Sequence, residues 1–282
     1  MEQQEFDDLI ARLDTAAAQS KESAEEKNAV EPVVVAIIGE KGHGKQTALE
    51  AMEATMAARE VEVSHPDAQA TGFPASCTVA DADFGDKQFR FVLCPDSFEE
   101  QPHTIATLSQ SDICIAVVDA TCGITDYLDD LLSTAHTVEC NRMVFYVSKC
   151  DLVEDDASLD ALEAALLKTT EVHMLEKPII VMGCALGVLE DFQKLEAMAN
   201  GPAKEAFAKE LAEEETSVTG LVESVNYAAF AIASGKAVEA TNSLKEKVSE
   251  MLEGSEEGQE AAAALNQLLG SLDILNPANN KQ

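Results

Sequence analysis

The chain of 282 residues carries 52 acidic against 19 basic side chains, a formal net charge of −33. A field of that sign repels phosphate backbones and argues against a general nucleic-acid or anionic-membrane binder, while the length allows one large domain or one domain with an appendage. Seven cysteines, odd in number and without a C-x-x-C pair, fit reduced, mostly buried thiols of a cytoplasmic protein better than a zinc site.

The acidic start MEQQEFDDLI lacks the apolar segment of a signal peptide, and no uninterrupted apolar stretch is long enough to span a bilayer. Within residues 1–31, Phe6, Leu9, Ile10 and Leu13 fall at helical spacing and predict a short amphipathic helix, with a charged connector running up to Pro32.

Val33 to Ile38 is apolar without alternation, as expected of a parallel strand buried on both faces. Gly39 follows, then Gly42, His43, Gly44, Lys45, Gln46 and Thr47, and after them Ala48, Leu49 and Met52 at helical spacing. Glycines between a strand and a helix form the setting of a phosphate-binding loop: backbone N–H groups wrap an anion at a helix N-terminus and a lysine neutralises it. The pattern G-x-x-x-x-G-K-[ST] is met except at its last place, where Gln46 stands and Thr47 comes one position late. A plain glycine turn would not bring strand, spacing, lysine and helix together. His43 reads as a capping or packing residue rather than an acid–base group.

Glu60 to Ala75, polar and containing Pro66, Gly72 and Pro74, is expected to be a mobile loop. Ser76 to Ala82 and Gln88 to Cys94 read as a β-hairpin turning around Gly85. Ile113 to Ala120, Met143 to Val147 and Ile179 to Met182 are further apolar strands, with helical patterns between them over Thr104–Ser109, Tyr127–Glu139 and Ser158–Val172. This alternation predicts an α/β fold, a doubly wound and mainly parallel sheet that binds ligands at the carboxyl ends of its strands. From about Leu189 the strands stop. Several helices are expected, punctuated by Gly201, Gly220 and Gly254, with an apolar face at Leu221, Val225, Ala228, Ala229 and Ile232 and another from Val238 to Leu252. Packing on the sheet is the expected role for these faces; mutual pairing and gripping a partner are the alternatives.

Four stretches, in order, resemble the GTP-binding domain of translational GTPases, closest to elongation factor Tu. IIGEKGHGKQT resembles that family's I-G-H-V-D-H-G-K-T-T, and VLCPDS (Val92 to Ser97) resembles V-D-C-P-G-H. SKCDLV (Ser148 to Val153) resembles N-K-C-D-[ML]-V, and GCALGVLED (Gly183 to Asp191) resembles G-S-A-L-x-A-L-E-G. The resemblance covers roughly Val33 to Ala199 and does not reach the β-barrel domains that follow in the factor. It implies a P-loop NTPase fold divided into an N-terminal helix and connector (1–31), a GTP-binding domain (32–200) and a helical C-terminal segment (201–282).

The resemblance implies that GTP or GDP is the ligand. Asp151 would accept both N–H groups on the Watson–Crick edge of guanine, Lys149 would lay its stem over base and ribose, and the backbone of Cys184, Ala185 and Leu186 would address the guanine oxygen. Ser148 stands where the family has asparagine, which is expected to lose an amide that ties the base loop to the phosphate loop. The parts that handle magnesium and the third phosphate are mostly replaced. Gln46 takes the place of a magnesium-binding threonine, Pro74 that of the switch threonine, and Leu93 that of the aspartate holding the metal's water shell. Asp96 replaces a glycine whose N–H meets the γ-phosphate, and Ser97 the histidine that orients water. Magnesium binding is therefore in doubt, and GTP hydrolysis is expected to be weak or lost. The alternative is a nucleotide-independent pseudo-GTPase that engages a protein partner through its C-terminal helices.

Overall fold

The computed structural model describes residues 31–252 apart from residue 86. The helix expected near the N-terminus and the tail beyond Gly254 lie outside the described residues.

Seven strands form a single sheet in the order β2-β3-β4-β1-β5-β6-β7. They are β1 (Val33–Ile38), β2 (Glu62–Ser64), β3 (Thr78–Asp83), β4 (Gln88–Leu93), β5 (Ile113–Asp119), β6 (Met143–Ser148) and β7 (Ile179–Met182). β1 pairs in parallel with both β4 and β5, and β5, β6 and β7 continue in parallel. Among the described strands, β3 alone runs against the rest, pairing antiparallel with both β2 and β4. All seven residues of β5 and all six of β6 are buried, which accounts for their unbroken apolar sequence.

The segment expected as a mobile loop holds β2 and a 3-10 turn at Gln69–Thr71. β2 is a three-residue edge strand whose Glu62 and Ser64 are exposed, so it carries no apolar signal.

Seven helices lie among the described residues: α1 (Lys45–Ala58), α2 (Gln101–Leu108), α3 (Asp126–Thr137), α4 (Asp156–Val172), α5 (Ala185–Ala197), α6 (Pro202–Glu213) and α7 (Ser217–Leu252). One face of the sheet packs against α1 through Leu49, Met52 and Met56, and against α7 through Val218, Leu221, Val222 and Val225. The opposite face packs Leu108 of α2, Leu128, Leu131 and Leu132 of α3, and Leu166 of α4. Fully burying a leucine or valine contributes about 1.5–3 kcal/mol, so the first turns of α7 are a large part of the core.

Gly220 does not punctuate the C-terminal region. It lies in the first turn of one continuous 36-residue helix, roughly 54 Å long. From Lys236 on, only its helical backbone is described. Among the described residues, no helix is long and apolar enough to cross a membrane.

Candidate functional site

The loop from Gly39 to Lys45 leaves β1 at its carboxyl end and enters α1. Gly39 has φ 149°, and a Cβ there would lie 2.5 Å from the Val117 carbonyl of β5, so only glycine lets the loop start so close to the sheet. Gly44 caps α1 in the left-handed conformation, at φ 92°. Gly42 also has positive φ, so the chain wraps around the helix N-terminus. His43 is buried; its Nδ1 accepts from the Asp119 N–H at 3.5 Å and its Nε2 lies 3.8 Å from Glu40. Burial lowers its pKa, against the raising pull of the Glu40 and Asp119 carboxylates. The ring packs inside the loop.

On one side of Gly44 and Thr47 lies a largely apolar cavity of about 290 Å³, which Ser148, Lys149, Asp151, Leu152, Cys184, Ala185 and Leu186 complete. Its groups are held by contacts between distant segments. Ser148 Oγ donates to the His43 carbonyl at 2.7 Å and lies 3.2 Å from the Val118 carbonyl. The tie expected to be lost with the asparagine is therefore kept, because a hydroxyl at the end of β6 reaches the same loop. Lys149, in the left-handed conformation at φ 58°, donates to the Gly42 carbonyl at 2.7 Å and pairs with Asp119. A non-glycine residue with positive φ is uncommon, and the two contacts of its ammonium group hold it there.

Burial would raise the pKa of Asp119, but hydrogen bonds from Lys149 and from the Thr121 hydroxyl and N–H outweigh it and hold the group at about 2. The Cys184 thiol adjoins Asp151; its pKa is raised first by burial and then by that carboxylate. The Gly183 N–H donates to the Val147 carbonyl at 2.9 Å, joining the last loop to β6. A Cβ on Gly183 would lie 2.0 Å from Ser217 Oγ, so the start of α7 sits directly on this loop.

On the other side of Gly44 and Thr47 is a cavity of about 380 Å³, lined also by Lys45, Gln46, Ser76, Thr78, Leu93, Cys94 and Asp96. Lys45 Nζ donates to the Gly39 carbonyl at 2.7 Å and lies 3.6 Å from Asp96 Oδ2. Burial lowers the lysine pKa, and the Asp96 carboxylate opposes that effect. The Gln46 amide points along its own helix, donating to Glu50 at 2.7 Å. Ser97 Oγ donates to Glu100 at 3.0 Å at the start of a 3-10 turn. Leu93 belongs to the apolar cluster with Phe89 and Phe91. Among the described residues, no group of three or more His, Cys, Asp or Glu side chains is placed to hold a metal ion. An apolar Leu93 and a diverted Gln46 do not fit the hard oxygen cage that magnesium requires.

The sequence profile of the elongation factor Tu GTP-binding domain matches residues 31–254, well over half of the chain. The chain belongs to that family. Among solved structures, the crystal structure of a bacterial selenocysteine-specific elongation factor, EF-Sec, is similar at 21% identity with a TM-score of 0.45. The likeness covers 60% of this chain and 30% of that one, so the chain spans less than a third of the factor's length. The matched family region runs past Ala199 into α7.

Within this G domain, the residues singled out from the sequence fall around two adjoining cavities. Gly42, Gly44, Lys45, Gln46 and Thr47 line the cavity expected to take phosphate, the phosphate side, and Gly44 and Thr47 also line the one expected to take the base, the base side, with Ser148, Lys149, Asp151, Cys184, Ala185 and Leu186. Gly39 and His43 shape the loop from behind. Pro74 is not among the lining residues, whereas Ser76 and Thr78 of the following segment are. Sequence reasoning missed those two hydroxyls, and it missed Asp119 and the Cys184 side chain. Asp119 carried a readable signal, as an acidic residue closing an apolar strand.

Proposed function

We propose that this G domain binds guanine nucleotide, favours the diphosphate, and hydrolyses GTP weakly or not at all. The base-side cavity carries the first part. Asp151 lines the cavity and offers two oxygens to the guanine edge, and Lys149 is fixed nearby by Gly42 and Asp119. The loop N–H groups and Lys45 suit the α- and β-phosphates.

The observation that carries the second part is Asp96. Its carboxylate stands 3.6 Å from the P-loop ammonium, in the motif position where the family has a glycine for the γ-phosphate. A third phosphate would bring more negative charge against that carboxylate, with no magnesium ligand set to offset it. Nucleotide affinity is therefore expected to depend little on magnesium. The test is titration with a fluorescent GDP analogue and with GTP, each with and without magnesium, beside a phosphate-release assay. GDP at least matching GTP, with no release, is the expected result. Strong magnesium dependence or brisk turnover would refute the proposal.

A second reading, the nucleotide-independent interaction module, is favoured by two observations. Lys45 already has an anionic partner within the chain, and Tyr227 and Phe230 stand 64% and 56% exposed on α7. Thermal unfolding separates the readings: a ligand at a hundred times its Kd adds about 2.7 kcal/mol. If neither GDP nor GTP moves the midpoint at millimolar concentration, the module reading stands, and the protein partner is then to be sought at Tyr227 and Phe230.

A further inference from the structure

Two thiols that take no part in the nucleotide contacts above meet at the wall of the phosphate-side cavity. The β3–β4 register pairs Thr78 with Leu93 and Val79 with Val92, and one step further along it sets Cys77 opposite Cys94. Neither cysteine bonds the other through its backbone N–H. Cys77 donates to the Pro74 carbonyl at 2.9 Å, and Cys94 donates to Ile37 of β1 at 3.0 Å. Continued one step past the ends of β3 and β4, the ladder would make them the closer kind of pair, with Cα atoms about 4.5 Å apart. A disulfide bridges roughly 4.4–6.8 Å.

Both thiols are free and buried. Cys77 Sγ also lies 3.6 Å from the Thr107 hydroxyl of α2. The Cys77 thiol is pulled below its ordinary pKa, first by the neighbouring Cys94 thiol, while Cys77 and then burial push Cys94 well above its own, with Cys94 Sγ 3.8 Å from the Val92 carbonyl. One member of the pair is thus the readier nucleophile and the other holds its proton. Cys77 lies between Ser76 and Thr78, and Cys94 between Leu93 and Pro95; these four neighbours and Cys94 itself line the phosphate-side cavity.

We propose that Cys77 and Cys94 are a redox modification site, forming a reversible disulfide with hydrogen peroxide as oxidant and so tying together two walls of the phosphate-side cavity. The Cys77 thiolate attacks one peroxide oxygen, the O–O bond breaks, and the departing hydroxide takes a proton and leaves as water. The Cys94 sulfur then attacks the resulting sulfenic sulfur, and its proton leaves with the displaced hydroxide as a second water. Two thiols lose two electrons, and the peroxide gains them. A dithiol reductant reverses the bond by exchange. With Cys94 tied, Pro95 and Asp96 are held against Lys45, so a β-phosphate competes less well for that ammonium. This last consequence rests on the diphosphate reading; the disulfide does not.

The experiment exposes the purified full chain to hydrogen peroxide, blocks remaining thiols with an alkylating agent, and maps the peptides without reduction. The expected result is loss of two hydrogen atoms and a Cys77–Cys94 linked peptide that dithiothreitol removes. Cys77→Ser should lack the link, and Cys77→Ala provides the same control should serine unsettle the fold. A Cys94–Cys114 link, an irreversible oxyacid at Cys77 with Cys94 still free, or two inert thiols would overturn the assignment. Fluorescent GDP is titrated in parallel. The oxidised protein should bind about tenfold more weakly, recover with dithiothreitol, and show no such change in Cys77→Ser. Equal affinity in both redox states would overturn the coupling to the pocket. Absence of GDP binding in both states would instead sink the nucleotide reading, leaving the peptide map to decide the disulfide.

Discussion

The base-side and phosphate-side cavities share Gly44 and Thr47, yet they differ in how their lining is held. On the base side two polar groups are fixed by contacts from other segments: Ser148 to the phosphate loop, and Lys149 to Gly42 and Asp119. On the phosphate side, side chains at three of the substituted positions have turned to the fold's own uses. Gln46 bonds its own helix, Ser97 caps a turn, and Leu93 extends the apolar face of β4. Changing a residue of the first kind breaks a link between distant segments. Changing one of the second kind leaves the scaffold intact, because a γ-phosphate or metal ligand contributes to chemistry rather than to packing. On the proposed function, recognition and turnover are separable for that reason.

The largest effect should come from the base side. Asp151→Asn removes a charge-assisted bidentate acceptor, worth up to ~3 kcal/mol, and should weaken GDP binding about a hundredfold in a fluorescence titration. Similar losses for guanine and adenine nucleotides in this variant would show that Asp151 does not read the base. Gly183→Ala places a methyl group against Ser217 and should lower stability by about 2–3 kcal/mol in urea unfolding as the start of α7 is pushed off the loop. An unchanged midpoint would mean that α7 and the base loop are not coupled.

Asp119 supplies the pH test. Its folded pKa of about 2 lies below the ordinary 3.8, so its stabilisation is fully present above the ordinary value and lost as pH falls through the folded one. The linkage is worth about 2 kcal/mol. Asp119→Asn should therefore cost about that much at pH 7, and the gap from the parent should close between about pH 5 and pH 2. A gap independent of pH would remove the ion pair with Lys149 as its cause.

On the phosphate side the effects should be smaller. Asp96→Gly should raise affinity for GTP relative to GDP by about tenfold, measured by competition against fluorescent GDP. No shift would show that this carboxylate does not oppose the third phosphate. Gln46→Ala should leave GDP affinity unchanged with and without magnesium, and cost only the exposed i,i+4 pair with Glu50, about 0.2–0.5 kcal/mol. A large loss there would mean that the two cavities are less different than their contacts indicate.

Much of the fold could be read along the chain where signals are continuous. Apolar runs marked β1, β5, β6 and β7, because strands buried on both faces have no polar side to present. β2 escaped because a three-residue polar edge strand exists only by pairing with β3. The length of α7 escaped because Gly220 reads as a break in sequence. In the fold it lies where a side chain would come within 3.9 Å of Val181, and the surrounding core keeps the helix going. Removing residues 201–282 would accordingly strip Leu221, Val222 and Val225 from the sheet, so that segment is not a detachable tail.

The sequence by itself determined the strand, glycine loop and helix of the first unit and the mainly parallel sheet. These depend on residue identity over short spans, where backbone preference and spacing suffice. Tertiary structure alone decided that Ser148 reaches the His43 carbonyl across 105 residues and that Lys149 meets Asp119 across 30. It also decided that Asp96 faces Lys45 and that Cys77 stands opposite Cys94. Such pairs follow from strand order and register, which are fixed only when the whole sheet assembles.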